Sequence, residues 1–266
     1  MSAGKLLRRV KFMKVDESLI QACTPGISQE ASSQNLGYGN LYYALVRHLR
    51  PQHVLVIGSG YGFSPAVMAL ALADNGNGKL TFVDPSMDAG RDGPNSAHGG
   101  TGQWDTPEDV EARFGCAGVP GGIVTHYRER NDEFFPLYSS RNLPPIDLAL
   151  IDGAHDEANA SYDLANVVER LRIPGYVLMH DATHFLNRTP YMGVTQVIEQ
   201  ARRSGGVEEV TFPGDAGLAL LRFTTRPEIE IETMPPPSVL WPILGVFSVG
   251  VIGGVLGTIL VQKIIK

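Results

Sequence analysis

The apolar run His53-Val54-Leu55-Val56-Ile57 breaks into Gly58-Ser59-Gly60-Tyr61-Gly62 and then into a stretch of helical spacing over residues 64–73. A short run rich in Val and Ile reads as a buried parallel strand. The glycines permit positive φ and let backbone approach a ligand closely. The helix that follows offers free N–H groups to an anion such as a carboxylate. Few folds accommodate strand, glycine turn and helix in that order, so this segment limits the architecture more than any other. The next apolar run, residues 80–83, is closed by Asp84-Pro85. An acid ending the second strand is placed to bind the two hydroxyls of a ribose. Together the turn and the acid point to a ligand containing adenosine.

The same alternation continues along the chain. Residues 40–50 have helical spacing (Leu41, Tyr42, Leu45, Val46, Leu49) and stop at Pro51. Residues 75–78 are a turn, and residues 86–105 are rich in Gly, Asp, Asn and Ser. Thr106-Pro107-Glu108-Asp109 carries an N-cap, Pro in the first position and acids in the first turn, so a helix starts there. Strands are predicted over 123–127, 147–151, 176–179, 207–212 and 218–223, the last two antiparallel. Helices are predicted over 157–171 and 194–203. Strand–helix alternation of this kind gives an α/β, Rossmann-like, mostly parallel seven-stranded sheet with helices on both faces. The expected division is a lead-in over 1–36, the α/β domain over 37–224, a Pro-rich linker over 225–238 and a transmembrane helix over 239–262.

Two charged clusters fall where strands four and five should end. They are Ile151-Asp152-Gly153-Ala154-His155-Asp156 and Met179-His180-Asp181-Ala182-Thr183-His184. In an open α/β sheet the ligand crevice lies outside the carboxyl ends of the strands. Asp152, His155, His180 and Asp181 are therefore candidate site residues. An unperturbed imidazole titrates near neutrality, which suits a general base. Asp156 reads as the cap of the following helix and His184 as a solvated loop residue. Asp132, after the third strand, reads either as an adenine contact or as a helix cap. Trp104 and Asp105 read either as pocket lining or as plain surface.

The glycine spacing is G-x-G-x-G, which resembles motif I of class I S-adenosylmethionine-dependent methyltransferases more than the dinucleotide fingerprint G-x-G-x-x-G. The segments Phe82-Val83-Asp84-Pro85-Ser86, Ile151-Asp152-Gly153-Ala154-His155 and Pro174-Gly175 followed by His180-Asp181 extend the resemblance. They look like the subgroup that includes cephalosporin-hydroxylase-like proteins and sugar O-methyltransferases. The resemblance implies S-adenosylmethionine held by Gly58, Ser59, Gly60, Tyr61, Gly62, Asp84 and Asp132. It also implies a divalent metal, Mg or Mn, held by Asp152, His180 and Asp181, and His155 as the base on a small hydroxylated substrate. Two positions depart from the pattern: Val56 stands where an acid is usual, and His180 stands in place of the first acid of a pair. An imidazole ligand suits Mn, Fe or Zn better than Mg. These departures keep a second reading open, a catalytically inactive protein of this fold that binds or scaffolds at a membrane.

Composition narrows the partners. The net charge of -6 excludes generic nucleic-acid binding, which needs clustered Lys and Arg. The basic lead-in (Lys5, Arg8, Arg9, Lys11, Lys14) lacks an apolar run behind it, so a signal peptide is not expected. Two widely spaced cysteines, Cys23 and Cys116, read as reduced. From Val239 to Val261 no residue is charged, and that length exceeds the roughly 20 residues that span a bilayer. Gly250 with Gly254, and Gly253 with Gly257, have the small-xxx-small spacing that allows a homodimer. The expectation is a single-pass C-terminal anchor, a catalytic domain in the cytoplasm, and a small-molecule, lipid-linked substrate.

Overall fold

A computed structural model describes residues 38–58, 60–87, 102–214 and 216–227. Its elements in chain order are α1 (Gly39–Leu49), β1 (His53–Ile57), α2 (Phe63–Asn75), β2 (Lys79–Val83), α3 (Pro107–Cys116), β3 (Val124–Tyr127), α4 (Asn131–Phe134), β4 (Ile146–Ile151), α5 (Glu157–Arg170), β5 (Leu171–His180), α6 (Val194–Arg203), β6 (Val207–Phe212) and β7 (Leu218–Phe223). They form one seven-stranded sheet in the order β3-β2-β1-β4-β5-β7-β6. Strands β1 to β5 run parallel, and β7 is antiparallel to both β5 and β6.

Side-chain alternation divides the core in two. Val54, Val56, Leu80, Phe82, Leu148, Leu150 and Leu178 face α1, α2 and α3. Leu55, Ile57, Val83, Ala149, Ile151, Val177 and Met179 face α4, α5 and α6. Each such side chain taken out of water stabilises the fold by about 1.5–3 kcal/mol. Helix α2 is buried from Phe63 to Leu72, which explains why its sequence is apolar on every side. Helix α3 starts on the expected capping box: Thr106 Oγ1 accepts from the Asp109 N–H, and the Asp109 carboxylate accepts from the Thr106 N–H.

The strand order reverses between β1 and β4, where Ile57 pairs with Ile151. The crevice expected at such a switch point opens beyond Gly58 and Asp152. The chain organisation thus brings the glycine turn and the first charged cluster to adjacent strand ends.

Two features differ from expectation. Strand β5 begins at Leu171 rather than at residue 176. Its first residues pair with Ile146 of β4 across a register irregularity, which hides the strand behind Pro174 and Gly175. Cys116 is disulfide-bonded, not reduced; Cys23 lies outside the described residues. No helix among the described residues is long and apolar enough to cross a membrane. The expected lead-in, most of the linker and the expected transmembrane helix over 239–262 lie outside them.

Candidate active site

The glycine turn is shaped by what lies against it. Gly58 donates to the Val83 carbonyl at 2.9 Å and adopts φ +66°; a Cβ there would lie 2.3 Å from the Asp152 carbonyl oxygen. Gly62, with φ +86°, caps the start of α2, and a Cβ there would lie 2.3 Å from the Trp104 ring. Both positions demand glycine twice over, by conformation and by space. The first turn of α2 has no acidic residue and no side-chain cap; Pro65 has no N–H, so Phe63 and Ser64 supply the backbone donors that a helix start offers to an anion. Gly60 and Tyr61 complete the described part of the turn. Ser59 lies outside the described residues.

Asp84 follows β2 on the neighbouring strand. Its Oδ1 accepts from the Ser86 N–H at 2.7 Å. Burial raises its pKa to about 6, opposed by the Ser86 N–H and helped by the charge of Asp152. Asp132, the other expected cofactor contact, sits in the first turn of α4, and its carboxylate is ion-paired with Arg130 at 3.0 Å.

The two charged clusters meet as the sequence predicts. His155 Nε2 lies 2.8 Å from Asp181 Oδ2 and 3.7 Å from Asp152 Oδ1. His180 Nδ1 donates to Asp181 Oδ2 at 2.9 Å and lies 3.4 Å from Asp152 Oδ1. Asp181 adopts φ +59°, a left-handed turn that swings its carboxylate back toward the strand-four cluster. Asn187 holds that turn by donating to the Asp181 carbonyl at 2.7 Å. The His155 carbonyl accepts from the Gly193 N–H at 2.8 Å. Tyr38 closes one side, its ring edge-on to His180 at 5.9 Å.

The electrostatics follow from this packing. Burial alone would lower the His155 pKa; the Asp152 and Asp181 carboxylates, the latter in direct contact, outweigh it and raise it to about 10. Burial would raise the Asp181 pKa, but His155 and His180 hold it well below the usual carboxylate range. Asp152, His155 and Asp181 present ligand atoms all within 4.8 Å of one another. Two carboxylates and two imidazoles suit a divalent cation that accepts oxygen and nitrogen ligands. The expected third ligand, His180, lies beside this trio, and His155, the expected base, lies within it.

Asp156 and His184 take the lesser parts expected of them. Asp156 caps α5, accepting from the Asn159 N–H at 3.1 Å, and His184 stacks on Phe185 in the loop. Two residues escaped the sequence reading. Trp104 is only 1% exposed and packs beneath the glycine turn rather than lining an open pocket. Asp163, on α5, is fully buried behind Gly153; its Oδ1 accepts from Asn131 Nδ2 at 2.7 Å. Burial pushes its pKa well above the normal range. Its position among Ala160, Leu164 and Val167, on the apolar stripe of the helix, was the available signal.

Residues 55–182 match the family model described as a methyltransferase domain. None of the curated proteins matches the chain. Among solved structures, the O-methyltransferase TomG from Streptomyces achromogenes, determined with SAM, is 18% identical with TM-score 0.58, covering 80% of this chain and 92% of its own. An O-methyltransferase from Bacillus cereus, determined with SAH, is 13% identical with TM-score 0.59, covering 79% and 92%. A methyltransferase from Geobacter sulfurreducens is 19% identical with TM-score 0.51, covering 80% and 91%. At such identities the likeness is one of fold. Together with the sheet order and the family match, it shows that residues 55–182 carry a methyltransferase domain of the class I fold.

Proposed function

We propose that the chain is an S-adenosylmethionine-dependent methyltransferase that methylates a hydroxyl group on a small acceptor. One observation carries the reading. Gly58 packs directly on the Asp152 backbone, so the anion-accepting turn and the Asp–His cluster share a wall. A methyl donor in the first and an acceptor in the second would stand side by side. In-line transfer from a sulfonium carbon to oxygen needs positioning more than covalent help.

The roles follow from the geometry. The first-turn N–H groups of α2 take the carboxylate of the cofactor's methionine part, and Asp84 takes the ribose hydroxyls. At neutral pH the imidazole of His155 keeps its proton, because two carboxylates face it. It becomes a base only when positive charge offsets them. The cofactor's sulfonium contributes that sign. Asp152, Asp181 and one imidazole would hold a divalent cation such as Mg or Mn, which when bound lowers the pKa of an acceptor hydroxyl. With His180 as the third ligand, His155 is left to take the acceptor's proton.

The inactive-scaffold reading draws on two features: Val56 is buried in the sheet core, leaving β1 without an acid near the turn, and His180 stands in place of the first acid of the pair that ends β5. The intact cluster of four polar side chains favours chemistry instead. Native mass spectrometry of the chain with S-adenosylmethionine and divalent metals tests the choice. One cofactor per chain supports the enzyme; no cofactor at millimolar concentration supports the scaffold. The uncharged stretch over 239–261 supports a membrane anchor and a lipid-linked acceptor; the cytoplasmic placement rests on where the cofactor is found, and the Cys116 disulfide counts against it. Protease accessibility on sealed vesicles tests that placement.

A further inference from the structure

Trp104 belongs to neither half of the proposed cofactor cradle, yet it touches both. Its indole N–H donates to the Gly60 carbonyl at 3.0 Å, and its six-membered ring fills the space that a side chain at Gly62 would need. Its backbone N–H donates to Ser86 Oγ at 2.8 Å. Ser86 in turn donates its own N–H to Asp84 Oδ1 at 2.7 Å and its hydroxyl to Asp105 Oδ1 at 2.9 Å. Asp105 is ion-paired with Arg128 at 3.0 Å, next to β3. One continuous path therefore runs from the glycine turn, through Trp104 and Ser86, to the ribose-binding acid.

The indole is itself clamped. Phe82 meets it edge-on at 5.1 Å, Phe114 stacks on it at 5.7 Å, and the Arg113 guanidinium lies 5.7 Å from its ring centre. A side chain so held cannot follow a shifting turn; the turn must follow it. β1 offers no polar side chain near the turn, since Leu55, Val56 and Ile57 are all buried apolar residues. The Trp104 N–H is a side-chain hydrogen bond that holds the Gly60 carbonyl in its direction.

Resting on the methyltransferase reading above, we propose that Trp104 is a positioning residue for the cofactor. It locks the glycine turn and Asp84 at the separation that S-adenosylmethionine requires. It touches no reacting atom. Its influence should appear in cofactor affinity and be nearly silent in acceptor affinity.

Trp104→Phe tests this in the full chain, because Phe keeps an aromatic ring between Phe82 and Phe114 while losing the N–H and the support under Gly62. Calorimetric titration with S-adenosylhomocysteine should show affinity weaker by about tenfold, as loss of one buried hydrogen bond implies. The KM for the acceptor should change less than about twofold. In Trp241→Phe, Trp104 is the one remaining tryptophan. Its emission should change on titration and saturate with the calorimetric Kd. Ser86→Ala cuts the path at its other end and carries the same test if Trp104→Phe does not fold. Wild-type affinity in a folded Trp104→Phe, whatever its melting temperature, overturns the positioning role. Failure of the wild-type chain to bind at all overturns the methyltransferase reading, and this inference with it.

Discussion

Two glycines separate backbone strain from crowding at the centre of the site. Gly76 and Gly58 have nearly the same φ, +71° and +66°. Beyond Gly76 nothing lies within 4 Å of an added Cβ, whereas at Gly58 that atom would stand 2.3 Å from the Asp152 carbonyl oxygen and 2.8 Å from the Gly153 Cα. Gly76→Ala should therefore cost only the left-handed penalty of a residue with a Cβ, about 1–2 kcal/mol. Gly58→Ala incurs the same penalty and also forces two backbones apart, adding about 1–3 kcal/mol of overpacking. For a domain of this size each kcal/mol lowers the melting temperature by about 2–4 °C. Gly58→Ala should then melt about 2–12 °C below Gly76→Ala in scanning fluorimetry. It should also lose S-adenosylhomocysteine binding, since its side chain pushes Asp152 and the turn apart, while Gly76→Ala binds as wild type. Equal melting losses in the two variants, or unimpaired binding by Gly58→Ala, would refute the reasoning.

Asp163 gives a pH-dependent signature. Its folded pKa is raised, so the stability it contributes is full below its unfolded pKa and is lost as pH rises through the folded value. Melting of Asp163→Asn should improve relative to wild type from pH 5 to pH 8, and a constant gap would contradict the buried-acid account. The two imidazoles are separable by metal binding: His180→Ala should weaken Mn uptake and His155→Ala should spare it while abolishing turnover, and the reverse pattern would exchange their roles. Cys116 is disulfide-bonded, so in denatured, unreduced protein Cys116 should resist alkylation, as mapped by peptide mass spectrometry. Alkylated Cys116 would restore the reduced reading.

Local signals were legible wherever residues within one turn or strand decide the outcome. The Thr106–Asp109 capping box, the Asp156 cap and the alternation of the β6–β7 hairpin are of this kind. Asp152, His155, His180 and Asp181 were legible because strand ends in such a sheet converge on one rim. What escaped depends on contacts distant in sequence. The start of β5 is revealed by pairing with Ile146, not by its own Arg-Ile-Pro-Gly run. Helix α4, with four residues, is too short for periodicity to register. Trp104 lies in a polar, glycine-rich neighbourhood that reads as surface or pocket lining, and its packing under Gly62, 42 positions earlier, and between Phe82 and Phe114 removes it from solvent. Asp163 was hidden by the rule that acids on helices face water, which a fully buried carboxyl breaks.

The central claim is that the rim of the sheet holds an adenosyl cofactor on one side and the methyl acceptor on the other. Calorimetric titration of S-adenosylhomocysteine into wild type, Asp84→Asn and Asp181→Ala tests it most directly. The account predicts one site per wild-type chain. It predicts affinity weaker by about 10–100-fold in Asp84→Asn, the cost of a lost hydrogen bond to a charged group, and binding nearly unchanged in Asp181→Ala. Absence of binding by wild type, or affinity lost in Asp181→Ala and kept in Asp84→Asn, would contradict it.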